Sequence, residues 1–276
     1  MPQLRVRSKA TRGLVTEITP ENARWGYVGF ALHRMEPGDR LSADIGTRET
    51  CLVLVAGKAA LQIDSDDLGV IGERMSPFEG PPWAAYIPAG SRYAVRATTS
   101  VELAVCSAPG GGAYPAKVIP PNAHPQIVRG KGSNTRYVTN IMPEDDGSAN
   151  ALLVVEVITP GGNTSSYPPH RHDRDNLPHE SYLEETYYHR FNPQQGYGFQ
   201  RVYTDDRALD ETMVVENGDV VMVPKGYHPV ATLHGYDSYY LNVMAGTNRI
   251  WKFHNEQQHE WLFTGIGSPS ETTVAK

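Results

Sequence analysis

A chain of 276 residues with a formal net charge of −6 has no basic field to draw in nucleic acid or an anionic membrane surface. Its 39% hydrophobic and 20% charged residues fit a globular protein with a sizeable core, and its length suits two domains or one large one. No run of 18 apolar residues occurs, the opening MPQLRVRSKATRG lacks the apolar centre of a secretion signal, and Cys51 and Cys106 sit in apolar runs as buried free thiols, so a cytoplasmic location is expected.

Short runs rich in Val, Ile, Leu and Tyr, punctuated by Gly and Pro, predict strands at 50–56, 59–63 and 101–106. The Gly/Pro-dense stretch 107–134 reads as a connection. Strands resume at 151–158, 185–191, 198–203, 213–215, 219–223 and 238–244, with no convincing long amphipathic helix. Asn217-Gly218, between MVVE and DVVMVP, predicts a tight hairpin. The pattern is all-β, of the sandwich or barrel kind. It divides into an N-terminal unit over 1–110, a linker over 111–135 and a C-terminal unit over 136–276. The units look like divergent copies, since each has an apolar strand leading into Pro-x-Gly and then an aromatic residue or His: Tyr86 to Tyr93 in the first, Val223 to His228 in the second.

Six of the ten histidines lie between 160 and 234, and imidazole is the commonest metal ligand near neutral pH. His170 and His172 are two apart on a strand and so share a face. Glu185 on the next strand adds a carboxylate, and His228, after Pro224-x-Gly226, adds a third imidazole. Such a set leaves coordination positions open, as catalytic sites do. One divalent metal is expected there, zinc by first choice, with manganese or iron as alternatives. His189 and Tyr187 share the Glu185 face and are the candidate acid–base residues, with a metal-adjacent carboxylate as the other choice of base. In the first unit His33 is isolated and Tyr93 takes the place of the second-motif histidine, so no metal is expected there.

The order Gly161 or Gly162, His170, His172, Glu185, Gly196 or Gly198 resembles the first motif of the cupin superfamily, and Gly218, Pro224 and Gly226 its second. His228 falls one residue earlier than that motif places its histidine, and the loop 173–184 is longer than usual. Glu184 and His234 therefore stay open as substitute ligands, with strand parity favouring Glu185. The blocks ETYYHRFNPQQGYGFQRVYTDD, ENGDVVMVPKGYHPV and YYLNVMAG resemble the 5-deoxyglucuronate isomerase family of myo-inositol catabolism, a bicupin relative of the uronate ketol-isomerases. The resemblance implies two cupin (double-stranded β-helix, jelly-roll) barrels in one chain. It also implies an aldose–ketose isomerase that converts 5-deoxyglucuronate to 5-dehydro-2-deoxygluconate through a metal-stabilised enediolate. A cupin dioxygenase and a non-catalytic sugar-binding cupin are the alternatives. The partner is then a small sugar acid, and self-association into a homo-oligomer is left open. A carboxylate calls for an arginine fork. Arg201, alternating with Tyr203 on one strand face, is the preferred clamp, with Lys225 nearby and Arg171, Arg174 and Arg190 as alternatives.

Overall fold

A computed structural model describes residues 3–112 and 114–264, and nearly every element in it is a strand; the two α-helices, Pro20–Ala23 and Trp261–Thr264, have four residues each. Eight antiparallel strands of the first half recur in the second in the same order and pairing. Trp83–Ile87, Arg48–Ala56, Val101–Pro109 and Gly29–Met35 lie side by side in one larger sheet. Val220–Val223, Glu180–Asn192, Asp237–Gly246 and Leu153–Thr159 do so in the other. The smaller sheets correspond too: Arg40–Asp44, Arg92–Ala97, Ala59–Ile63 and Asp66–Ile71 match Thr164–Ser165, Val230–Thr232, Tyr197–Tyr203 and Asp210–Glu216.

Each half encloses its own apolar interior, with Leu52, Leu54, Leu61 and Ile87 in the first and Val155, Phe191, Val202 and Val221 in the second. A further core joins the halves, where Cys51, Val53 and Val55 meet Tyr188, Leu241 and Val243. The larger sheets are thus covered on both faces, which is why CLVLV and LVVEV read as unbroken apolar runs. Cys51 and Cys106 are cross-strand neighbours in this joint and remain free buried thiols.

Side-chain parity on Glu180–Asn192 decides what reaches the second barrel. Glu185, Tyr187, His189 and Phe191 point inward, while Glu184, Tyr188 and Arg190 point to the first half. The Glu184 carboxylate accepts backbone N–H bonds from Gly26, Tyr27 and Val28 at 2.6, 2.7 and 3.0 Å. Glu49 mirrors it by accepting from the N–H groups of Asn150, Ala151 and Leu152. Glu184 is therefore a fastening between halves, which removes it as a substitute ligand.

Three expectations need correction. The strands flanking Asn217-Gly218 do not pair with each other: Asp210–Glu216 pairs with Tyr197–Tyr203, and Val220–Val223 with Glu180–Asn192. Gly218, at φ +96°, turns a corner between sheets, and Asn217 Oδ1 secures it by accepting from Arg190 Nε and the Phe191 N–H. Segment 111–135 is more than a connection. Its Lys117–Ile119 pairs with Trp83–Ile87 of the first half, and its Ile127–Arg129 with Arg136–Met142 of the second. The N-terminal Arg5–Val6 crosses over to pair with Val220–Val223. Finally, Tyr93 packs into the first barrel's interior, and the residue four beyond Pro88, as His228 is beyond Pro224, is the exposed Arg92.

Candidate metal centre and active site

His170 stands on the short strand His170–Arg171, held against His254–Asn255, and His172 follows two residues on. The long loop after them is a hairpin, because Asp173–Asn176 folds back on the start of Glu180–Asn192. That return brings His172 beside Glu185, with Nε2 3.0 Å from Oε2. His228 reaches the same oxygen from the Pro224-x-Gly226 corner, its Nε2 3.3 Å away. One ring nitrogen from each of His170, His172 and His228 lies within 4.8 Å of the others. All four residues are nearly or fully buried.

Hydrogen bonding fixes which nitrogens face inward. His172 Nδ1–H donates to the Leu183 carbonyl at 3.0 Å, and His228 Nδ1–H donates to the Gly226 carbonyl at 2.8 Å. The Nε2 atoms of both rings then turn toward one carboxylate oxygen, and His228 Nε2 is buried without a hydrogen-bond partner. Ring nitrogens converging on a carboxylate suit a proton or a metal cation between them, and outer-atom bonds to backbone carbonyls are the usual way of aiming metal-ligating imidazoles. The titration behaviour agrees. Burial outweighs other effects and holds His228 at about 4 and His170 well below the ordinary imidazole value, both neutral. Burial also pulls His172 down, but its bond and charge interaction with Glu185 overcome this and push it up. The proton this pair attracts stands where a metal cation would. The donor set therefore fits a divalent metal with two or more open positions.

The site opens into a cavity of about 730 Å³. Its floor carries His170, Glu185, Tyr187, Tyr240 and Asn242. Its lining also includes the aromatic Trp251 and Phe253 and a cationic wall of Arg129, Lys131 and Arg136, with Arg129 over the Trp251 ring. The Tyr187 hydroxyl lies 2.9 Å from Ser166 Oγ, and burial followed by the charge of Glu185 raises its pKa well above the ordinary phenol value.

The structure brings His170, His172, Glu185, His228 and Tyr187 together and separates the other expected residues from them. His189 is fully buried and stacked between Tyr187 and Phe191; its Nε2 pairs with Gln200 Oε1 at 2.9 Å, and it does not line the cavity. It packs the barrel behind Tyr187. Arg201 points outward, in a two-point pair with Asp210 on the adjacent strand. Tyr203 donates to Glu256 and lies under the guanidinium groups of Arg201 and Arg207, away from the cavity. Lys225 and His234 are exposed. Arg171 turns away from the metal side to Glu180, Asp205 and Tyr227. Arg174 pairs with Asp205, and Arg190 with Glu102.

The Gly/Pro density of 107–134, which reads as a connection, hides the cationic wall from sequence analysis. The signal was there: Ile127-Val-Arg129 and Arg136-Tyr-Val138 bracket Gly-Lys-Gly, a strand–turn–strand pattern.

The pattern of the KduI/IolB family matches residues 3–262. The chain belongs to the KduI/IolB family. Among KduI/IolB-type relatives, the 5-deoxy-glucuronate isomerase of Geobacillus kaustophilus is 56% identical over 251 residues, covering 91% of each chain. The crystal structure of an IolB-like protein from Salmonella typhimurium superposes with a TM-score of 0.93 at 51% identity, over 95% of this chain and 99% of that one. An oxalate decarboxylase of Bacillus subtilis with Mn(II) centres has a TM-score of 0.65 at 13% identity, over 92% and 80% of the two chains, a likeness of fold alone. The all-β, two-barrel cupin architecture expected for the family is the one observed. No helix among the described residues is long and apolar enough to cross a membrane.

Proposed function

We propose that this chain is an aldose–ketose isomerase that converts 5-deoxyglucuronate to 5-dehydro-2-deoxygluconate, using one divalent metal held by His170, His172, Glu185 and His228. The observation that carries the chemistry is the convergence of His172 and His228 Nε2 on Glu185 Oε2 at the floor of a sugar-sized cavity. The family and its isomerase relatives support the reaction and its substrate. A cation there supplies Lewis acidity to a carbonyl and its neighbouring hydroxyl. Zinc is our first choice because the donors are mostly imidazole, which also suits manganese or iron. We place the enzyme in the cytoplasm, in keeping with the free thiols of Cys51 and Cys106.

Isomerisation moves a proton between adjacent carbons through an enediolate. Tyr187 holds its proton at neutral pH, because burial and Glu185 oppose its ionisation, so its hydroxyl donates to an oxygen gaining negative charge. On this floor the carboxylate able to take the carbon-bound proton is Glu185. His189 is buried and is not among the residues that line the cavity. Trp251 and Phe253 add apolar surface to the lining. The test is to strip the protein with chelator, restore one metal at a time and follow ketose formation from 5-deoxyglucuronate. Tyr187→Phe should lower kcat on the order of 100-fold with metal content unchanged. Full activity in the stripped protein, or in the Tyr187 variant, refutes the scheme.

A further inference from the structure

We infer that Arg129 and Arg136 form the carboxylate clamp of the substrate site, a specificity device built where the connecting segment pairs with the second barrel. Arg129 and Arg136 are directly opposed cross-strand neighbours on Ile127–Arg129 and Arg136–Met142, and both line the cavity that holds His170 and Glu185. Like charges placed opposite each other on paired strands repel, so the arrangement costs stability unless something anionic offsets it. Several arginines buried as deeply or more have carboxylate partners, while Arg48 is held by Ser107 and the Tyr27 carbonyl. Arg74 meets Glu156, Arg171 meets Glu180, Arg190 meets Glu102, and Arg249 meets Asp146. Neither Arg129 nor Arg136 has an ion pair among the described residues, and both are half-buried.

Both guanidinium groups are also held in place. Arg136 Nη1 donates to the backbone carbonyl and the Oδ1 of Asn134, at 3.0 and 3.1 Å, and Asn134 is itself anchored by donating to the Tyr167 carbonyl. This engages one edge of the fork and leaves the rest unspent. Arg129 lies over the Trp251 ring at 5.3 Å. Arg136 and His170 line the same cavity. Three cations against the single carboxylate of Glu185 make the cavity an anion trap even before a metal adds its charge. An acyclic sugar acid is thereby gripped at two ends, by carbonyl oxygens at the metal and by carboxylate at the arginine pair.

The clamp rests on the isomerase reading for its substrate, and the experiment separates the two. Wild type, Arg129→Gln, Arg136→Gln and Arg136→Lys are compared on 5-deoxyglucuronate and on 5-deoxyglucose, which has CH2OH in place of the carboxylate. Each Gln variant should lose on the order of 100-fold in kcat/KM on the acid, and its acid-over-neutral preference should collapse. Arg136→Lys should retain part of that preference, since a point charge replaces the fork. Arg129→Gln, which breaks no side-chain hydrogen bond among the described residues, keeps the test alive if Arg136→Gln does not fold. An unchanged preference overturns the clamp, as does an equal loss on both substrates, which marks a structural role. Calorimetry with gluconate, which has no carbonyl to isomerise, distinguishes the two failures. Arginine-dependent gluconate binding without turnover of the uronate keeps the clamp and removes the isomerase reading. Turnover with an arginine-independent preference does the reverse.

Discussion

Two adjacent glutamates, Glu184 and Glu185, should fail in different ways when each is changed to Gln. At Glu184 the carboxylate accepts three backbone N–H groups, two on Oε2 and one on Oε1. An amide must turn its NH2 toward at least one of them, and the least costly rotamer sacrifices Gly26. One charge-assisted bond is then lost, at about 2 kcal/mol, and two are reduced to neutral bonds, at about 1 kcal/mol each. Glu184→Gln should therefore destabilise the fold by about 4 kcal/mol while leaving metal content and the cavity as they are. Glu185→Gln removes the only carboxylate in the ligand set, so its metal affinity should fall at least about tenfold. Urea unfolding at fixed metal concentration reads the first effect, and elemental analysis after dialysis reads the second. A Glu184 variant of wild-type midpoint that has lost its metal would refute the parity argument, as would a Glu185 variant that keeps its full complement.

Two other perturbations follow from residues set apart from the site. Arg201→Lys should change turnover by less than about twofold and stability by less than about 1 kcal/mol, because the side chain is exposed and its partner is the surface carboxylate of Asp210; a large rise in KM for the uronate would return Arg201 to the site. Burial holds His189 at about 4, below the roughly 6.5 of the unfolded chain, so the unfolded state gains a proton first and stability falls by about 3 kcal/mol as pH drops from 6.5 to 4. His189→Gln, which can still donate to Gln200, should remove that part of the acid loss, and parallel stability curves for variant and wild type would contradict it.

What the sequence disclosed depended on periodicity. The runs at 50–56, 185–191 and 238–244 lie inside the strands Arg48–Ala56, Glu180–Asn192 and Asp237–Gly246, because two covered faces leave an unbroken apolar signature. The period of two likewise placed Glu185 with Tyr187 inside the barrel. It also placed His189 there, but parity gives a face and not a depth, and Phe191 and Tyr187 sandwich that ring away from the cavity. Arg201 failed for a related reason. It alternates with Tyr203, yet Asp210, which captures it, sits on a strand whose register no local pattern encodes. The cationic wall escaped because Ile127–Arg129 is only three residues long and is surrounded by Gly and Pro.

The first half shapes the candidate metal centre through backbone. Thr50 occupies the position in Arg48–Ala56 that Glu185 occupies in Glu180–Asn192: each is one residue beyond a fastening glutamate, Glu49 or Glu184, which face Ala108 and Ala245 in equivalent pairings. The divergence between the barrels is thus local to the ligand positions, while the fastening positions are common to both. Glu185 is one residue from the carboxylate that binds Gly26, Tyr27 and Val28, and opposite Val223 in a strand whose other edge is covered by Arg5–Val6. A ligand position must be held within about half an ångström to bind well. Here Gly26, Tyr27 and Val28 hold the neighbour of Glu185, and Arg5–Val6 covers the far edge of its partner strand, so the N-terminal residues serve the site as a frame.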